Sequence, residues 1–359
     1  MSDELKYDEN SPRVKEGVMK NMLLIGCISI SMIFIGLSSG YLVTRADNFW
    51  VKITPPTWFY ISSLFVLLAS VTFHFAYKGA QNDNQKTLKR FLLLTAILGG
   101  AFVYSQFKGY SQLRKEGNSV VGNIMSKSLY GDEYAVGIDG EMLDYDGIDY
   151  LMYGKPLEED RYKKMVAYCK EIERTDRHKH IYNLDGFPEF SIFKKMGDEF
   201  VQLEYAQNQF YAMHNGELHL ISIDYNAREL QQFARNIAKE RGDFMLVGKY
   251  GVDYTIQYAG EELEYKDRKL FHSTGPLSDE EMLDLELSRN SASSYVYIIS
   301  FMHLLHLLGG MVYLLVILTK ALRNNYNSDN YLKIKGGAIY WHFLGGLWIY
   351  LFLFFIFIH

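Results

Sequence analysis

The sequence predicts an all-α transmembrane helical bundle of five spans carrying an inserted extracytoplasmic α+β domain. Three observations lead there. Residues 1–110 and 291–359 hold five apolar runs of membrane-crossing length, whereas residues 111–290 are polar and charged. The middle stretch carries 22 Lys/Arg against 34 Asp/Glu, a net of −12, while the remainder carries 15 against 8, a net of +7. The mean hydropathy of −0.10 therefore averages two unlike parts. A soluble enzyme and a basic nucleic-acid binder are both excluded. The expected organisation is a tail with spans one to three (1–110), the insertion (111–290), and spans four and five (291–359).

The first twenty residues are polar, with Asp3, Glu4, Asp8, Glu9, Lys15 and Lys20, unlike a secretory signal peptide. Asn21–Val43 is thus read as a retained span, followed by Trp58–Tyr77, Phe91–Phe107, Tyr295–Leu318 and Ala338–Ile358. Each approaches the roughly 20 residues needed to cross about 30 Å of hydrocarbon. The third is short and extends by snorkelling of Arg90 and Lys108. Lys/Arg sit mainly in the N-terminal tail, the second loop (Lys78, Lys86, Lys89, Arg90) and the last loop (Lys320, Arg323, Lys333, Lys335). The positive-inside rule then predicts a cytoplasmic N-terminus, with the insertion and the C-terminus outside. Trp50 and Trp58, on either side of Pro55-Pro56, are expected in the outer aromatic belt.

Within the insertion, Glu158–His178 and Asp224–Gly242 read as amphipathic helices, the second through Leu230, Phe233, Ala234, Ile237 and Ala238. Glu199–Ala206, Gln209–His214 and Glu217–Ile223 read as strands, with Asn215-Gly216 as a two-residue hairpin turn. Ser278 and Glu281 form a capping-box pattern opening Asp279–Leu287. No internal repeat or low-complexity tract is read along the chain.

The two cysteines, Cys27 and Cys169, build no disulfide framework, no CxxCH attachment and no thiolate metal site. Ionisable groups deep in the spans are histidines: His74, His303, His306 and His342. No Asp or Glu lies deep in a span, which argues against a proton-coupled transporter. His303 and His306 share a helix face, and two readings stand for them: haem ligation, or interhelical hydrogen bonding by neutral imidazoles. His74 and His359 are placed near opposite surfaces. Gly36 and Gly40, Gly99-Gly100, Gly309-Gly310 and Gly345-Gly346 mark close helix approach. Arg177-His178-Lys179-His180, with Asp176 and Asp185 nearby, shows no metal-ligand spacing and reads as a solvated run. The acidic insertion either steers a basic partner or merely solubilises the domain.

Taken together, the spans resemble a known family. Span four, with Ser294-Tyr-Val-Tyr-Ile-Ile-Ser-Phe-Met-His303-Leu-Leu-His306-Leu-Leu-Gly309-Gly310, resembles that family's histidine pair followed by glycine. Tyr340-Trp341-His342-Phe343 with Trp348 and Tyr350 resembles its terminal helix. Leu67–Thr72 after Pro55-Pro56, and Tyr104-Ser-Gln106, are similar to the two helices before the insertion. The family is subunit III of the haem-copper cytochrome c oxidases, and the resemblance covers about half the chain. It implies an accessory, non-redox subunit of a respiratory complex that reduces oxygen to water coupled to proton translocation. It also implies no catalytic, metal or cofactor residue in this chain. Haem and copper are then expected in partner subunits, above all the catalytic subunit I, and bound phospholipid is compatible with it. His303, His306, Gly309, Trp341, His342, Trp348, Gly36 and Gly40 become packing and interface residues. Three departures stand out: two family helices are missing, Ile30 and Gly345 replace carboxylates, and the insertion has no family counterpart. The insertion is read as a docking surface for cytochrome c, another carrier or a respiratory partner. Rival readings are a membrane b-type cytochrome using His74, His303, His306 and His342, and a membrane-anchored extracytoplasmic sensor.

Overall fold

The computed structural model describes residues 12–174, 183–206, 209–214, 216–220, 224–328 and 330–359. The chain divides into a helical unit (Met1–Thr44, Thr54–Arg114, Ala292–His359) and a strand-rich unit (Arg45–Ile53, Lys115–Ser291).

Among the described residues, five helices are long and apolar enough to cross a membrane: α1 (Pro12–Asp47), α2 (Thr57–Gln81), α3 (Gln85–Lys115), α7 (Ser291–Leu322) and α8 (Leu332–Phe357). All five expected spans are present, each longer than its apolar run or shifted by a few residues. This is a multi-pass membrane protein with a β-containing insert. Apolar side chains such as Ile25, Met32, Leu64, Val71, Ile97 and Val312 are exposed on the helical unit, as lipid-facing surfaces require. Inside, α2 lies along α8: Tyr60 meets Phe352 edge-on at 4.8 Å, and Phe73 meets Trp341 at 6.0 Å. The first helix is fastened at its far end, where Tyr41 Oη and His359 Nδ1 are 2.8 Å apart and Thr44 Oγ1 and Tyr295 Oη 2.9 Å.

The strand-rich unit corrects the expectation of no internal repeat. It contains two copies of one motif, offset by 120 residues as from Tyr130 to Tyr250. In the first copy, β2 (Tyr134–Ile138), β3 (Glu141–Met142), β4 (Asp144–Tyr145), β5 (Tyr150–Met152) and β6 (Lys155–Pro156) lead into α4 (Glu159–Arg174). In the second, β12 (Tyr254–Tyr258), β13 (Glu261–Glu262), β14 (Glu264–Lys266), β15 (Lys269–His272) and β16 (Gly275–Pro276) lead into α6 (Asp279–Leu287). Residues shared at the offset include Tyr130/Tyr250, Gly131/Gly251, Tyr134/Tyr254, Gly140/Gly260, Leu143/Leu263, Tyr145/Tyr265 and Pro156-Leu157/Pro276-Leu277.

These residues carry the same bonds in both copies. The Tyr130 hydroxyl donates to the Leu143 carbonyl at 2.8 Å, and that of Tyr250 to Leu263 at 2.7 Å. The same hydroxyls accept from the amides of Val136 (3.1 Å) and Ile256 (3.2 Å). Each first hairpin turns on two residues of positive φ, Asp139-Gly140 (53°, 84°) and Ala259-Gly260 (49°, 83°). That is the I′ geometry whose twist matches paired strands.

Each copy completes its sheet with a strand from elsewhere. β2 pairs antiparallel with β7 (Phe190–Met196), Val136 facing Ile192. The equivalent β12 pairs with β1 (Trp50–Ile53), Ile256 facing Val51. That strand comes from the loop between the first two spans. Trp50 is accordingly fully buried in a sheet, correcting its expected place in an interfacial belt. The copies meet antiparallel: Met125 bridges Phe244, and the Met245 amide donates to the Ile124 carbonyl at 2.8 Å. Pairs 125–244 and 124–245 exchange under the 120-residue offset, so a local pseudo-twofold axis runs between the copies.

Between the copies lie β8 (Glu199–Gln202), β9 (Glu204–Ala206), β10 (Gln209–His214), β11 (Glu217–Leu220) and α5 (Asp224–Ala238). The single strand expected over 199–206 is two, β8 pairing with β7 and β9 with β10, broken at buried Leu203. The β10–β11 hairpin closes His214 on Glu217, with Asn215 and residues 221–223 outside the described set. α4 is described as far as Arg174, and the rest of the expected helix, with the Arg177–His180 run, lies outside the described residues. The Ser278 capping box forms as expected, its hydroxyl accepting from the Glu281 amide while Glu281 accepts from Ser278. Cys169 is fully buried in the first copy's core beside Tyr168 and Ile172. Burial pushes its thiol well above the ordinary range, so it stays an inert thiol.

Candidate functional site in the helical bundle

Because the resemblance rests on α7 and α8, the site is built outward from their histidines. His303, fully buried on α7, places Nε2 3.0 Å from the Leu344 carbonyl of α8. A carbonyl only accepts, so Nε2 carries the hydrogen. Its Nδ1 is buried with no partner among the described residues. Trp348 and Phe102 enclose the ring, at 5.1 and 5.8 Å between centroids. His306, one turn along, holds the Met302 carbonyl at 2.7 Å through Nδ1 and meets Phe34 of α1 edge-on at 5.8 Å.

Trp348 extends this cluster to α2. Its indole N–H donates to Ser63 Oγ at 2.9 Å, and that hydroxyl donates to the Phe59 carbonyl at 2.8 Å. One residue away, Ser62 takes the amide of buried Gln106 from α3 at 2.7 Å. Thr72 and Thr95 join the same two helices at 2.8 Å. His342 bonds Ser70 through Nδ1 and lies 6.3 Å from His74, ring to ring. Trp341 is buried against Phe73, its indole nitrogen unpartnered among the described residues. The result is a ladder of polar groups joining four helices.

The glycines divide into two groups. A methyl group on Gly36 or Gly309 would meet open space, whereas one on Gly40 would come 3.4 Å from the Tyr295 hydroxyl. The tight approach is at Gly99, where a Cβ would fall 2.4 Å from Met311 Sδ and 3.0 Å from Trp341. The structure thus brings His303 and Trp348 together, puts His342 with Ser70, and leaves Gly36 and Gly309 outside any close contact.

The serines, threonines and Gln106 of α2 and α3 are the partners that a search restricted to ionisable residues passes over. Their signal was present: Ser62-Ser63, Ser70 and Thr72 recur in an otherwise apolar run. Among the described residues, no group of three or more His, Cys, Asp or Glu is placed to hold a metal. The Nε2 through which His303 could ligate an iron is committed to a backbone carbonyl.

No family model matches the chain. Over 51 residues it is 33% identical to the cytochrome c oxidase subunit 3 of Spodoptera frugiperda, a stretch covering 14% of this chain and 35% of that protein. The chain is therefore matched over about a third of the length of that curated relative.

Proposed function

We propose that this chain is an accessory, non-redox membrane subunit of a respiratory cytochrome c oxidase, packed against the catalytic haem-copper subunit. The observation that carries the reading is the local similarity to a cytochrome c oxidase subunit 3. The bundle supports it: His303 and His306 bond backbone carbonyls and His342 bonds a serine, the arrangement of a packing element. Haem and copper belong, on this reading, to partner subunits. An open groove between α1 and α8, lined by Ile35, Leu42, Leu353 and Phe357, has the apolar walls an acyl chain needs.

The insertion is proposed to lie on the periplasmic side of a bacterial inner membrane. The pairing of β1 with β12 supports part of this, since a loop and an insertion that share one sheet are expected on the same side of a membrane. The charge of the insertion supports a docking role toward a basic carrier such as cytochrome c or toward a partner respiratory complex.

The test is purification from native membranes through an N-terminal tag in mild detergent, with a reduced-minus-oxidised spectrum and mass spectrometry of co-purifying chains. A large haem-copper subunit with its haem signal is expected. A chain isolated alone and colourless refutes the proposal, and a haem b band on the isolated chain transfers it to the b-type cytochrome reading.

A further inference from the structure

The pseudo-twofold relation in the strand-rich unit creates two equivalent clefts between the copies, and they are not equally filled. On one side Arg268 closes the cleft. Its guanidinium binds both carboxylate oxygens of Asp243 at 2.7 and 2.8 Å and donates to the Tyr130 carbonyl at 2.8 Å. On the other side the 120-residue offset places Ile148 where Arg268 stands and Asn123 where Asp243 stands. Neither can form that bridge. A cavity of about 380 Å³ remains there, lined by Tyr145, Tyr150, Tyr162, Tyr250, Tyr254 and Arg241. That volume lies in the range of small-molecule sites, roughly 300–1,000 Å³.

Tyr145 and Tyr250 donate their hydroxyls to the carbonyls of Gly147 and Leu263, whereas three other wall tyrosines have no such partner. Tyr150 and Tyr254 are 7% and 5% exposed, yet among the described residues nothing hydrogen-bonds to either hydroxyl, nor to that of Tyr162. Burial holds the phenols of Tyr150 and Tyr254 well above their ordinary range and that of Tyr162 at about 12, so all three keep their hydrogens to donate.

Arg241 adds a permanent cation whose Nε is buried and unpartnered among the described residues. Glu173, whose field it feels, is bonded to Arg235 at 3.1 Å. Of the acids lining the cavity, Asp149 is engaged by Lys249 at 3.0 Å and Glu159 by Lys163 at 2.6 Å, while Glu240 stands near enough to Tyr162 to raise its phenol. The Arg241 guanidinium and three tyrosine hydroxyls without protein partners therefore line one space. Its aromatic walls, with Tyr145 and Tyr150 only 4.7 Å apart, favour a flat ring.

We infer that this cleft is a binding site for a small aromatic carboxylate, its anionic group held by Arg241 and the free tyrosine hydroxyls and its ring against the tyrosine faces. The full-length chain in mild detergent is titrated by calorimetry and tyrosine fluorescence with benzoate and with benzamide, its neutral isostere. Saturable benzoate binding at millimolar concentration or tighter is expected, with benzamide at least about tenfold weaker. Tyr150→Phe and Tyr162→Phe each weaken benzoate several-fold without lowering the melting temperature of the free protein, because neither hydroxyl has a protein partner to lose. Arg241→Gln removes the preference for the anion. Absence of saturable binding, equal binding of the two probes, or phenylalanine variants that bind benzoate like the parent would each overturn the inference. Since the phenylalanine variants disturb no internal bond, they decide the matter even if Arg241→Gln fails to fold.

Discussion

The Asp243–Arg268 pair offers a stability experiment with its control built into the chain. The Asp243 side chain is 4% exposed and that of Arg268 29%, and the Tyr265 hydroxyl adds a third bond to Asp243 at 2.7 Å. Removing either partner strands a buried charge, at a cost of about 3–5 kcal/mol. Asp243→Asn and Arg268→Ile should therefore each lower the melting transition of the strand-rich unit by roughly 6–20 °C, at about 2–4 °C per kcal/mol for a unit of this size. The double variant Asp243→Asn with Arg268→Ile installs the residues the first copy already uses at these places, Asn123 and Ile148. Exchanging a buried pair for neutral groups of similar volume is often neutral. Most of the loss should therefore return, giving a coupling well above 1 kcal/mol in a double-mutant cycle. The assay is thermal or denaturant unfolding in detergent, followed by near-ultraviolet circular dichroism of the tyrosines. Additive single and double effects, or single effects within ordinary surface values, would refute the argument and with it the equivalence of the two copies.

The remaining predictions concern the bundle and one helix cap. Gly99→Val should impair extraction of folded protein and lower its stability in bicelles, because the new side chain meets Met311 and Trp341, whereas Gly36→Ala and Gly309→Ala should leave both unchanged. His303→Leu should cost roughly 1 kcal/mol of helix association by losing the bond to Leu344 while sparing the haem signal of the purified complex; a vanished haem signal would contradict the packing role. Glu281 is held below the ordinary carboxylate range by the backbone hydrogen bond from Ser278 and the bond from its hydroxyl. Its contribution is therefore present above its unfolded value and lost as pH falls through the lowered one. Glu281→Gln should make the melting temperature fall less steeply below about pH 4.5; an unchanged slope would remove Glu281 from the acid limb.

The five spans were readable because about twenty apolar residues in a row have no other use in a chain of this kind. The Asp279–Leu287 helix was readable because its stop and start are local chemistry: Ser278 and Glu281 satisfy each other within one turn. The duplication was not readable by periodicity. Its strands are two to five residues long, too short for an alternating pattern, and its shared residues are scattered tyrosines and turn glycines 120 positions apart. They become legible only when the bonds of Tyr130 and Tyr250 are compared. Trp50 misled for a related reason. An aromatic residue beside Pro55-Pro56 at a span end looks the same whether it faces lipid or a strand, and its strand partner lies beyond the third span. In the bundle the histidines were visible, but their partners were a backbone carbonyl and serines, which no spacing of ionisable residues announces.

The borrowed strand changes how the insertion can be tested for a docking role. Excising residues 115–288 removes β12, the neighbour of β1, and uncovers Trp50, Val51 and Ile53, whose exposures are now 0%, 1% and 9%. Each such side chain is worth roughly 1.5–3 kcal/mol when fully withdrawn from water, and a bare edge strand recruits other chains. A simple excision should therefore aggregate or fail to assemble whatever the insertion touches, and that failure would say nothing about docking. An excision that also carries Trp50→Ser, Val51→Ser and Ile53→Ser removes this defect. It should be extracted as a monodisperse species, and only in that background does lost coupling to the natural electron donor, with activity toward artificial donors kept, report on a docking surface. If the plain and the serine-bearing excisions behave alike by size-exclusion chromatography, β1 does not depend on the second copy. The sheet that joins the first loop to the insertion would then contribute nothing to the integrity of the chain.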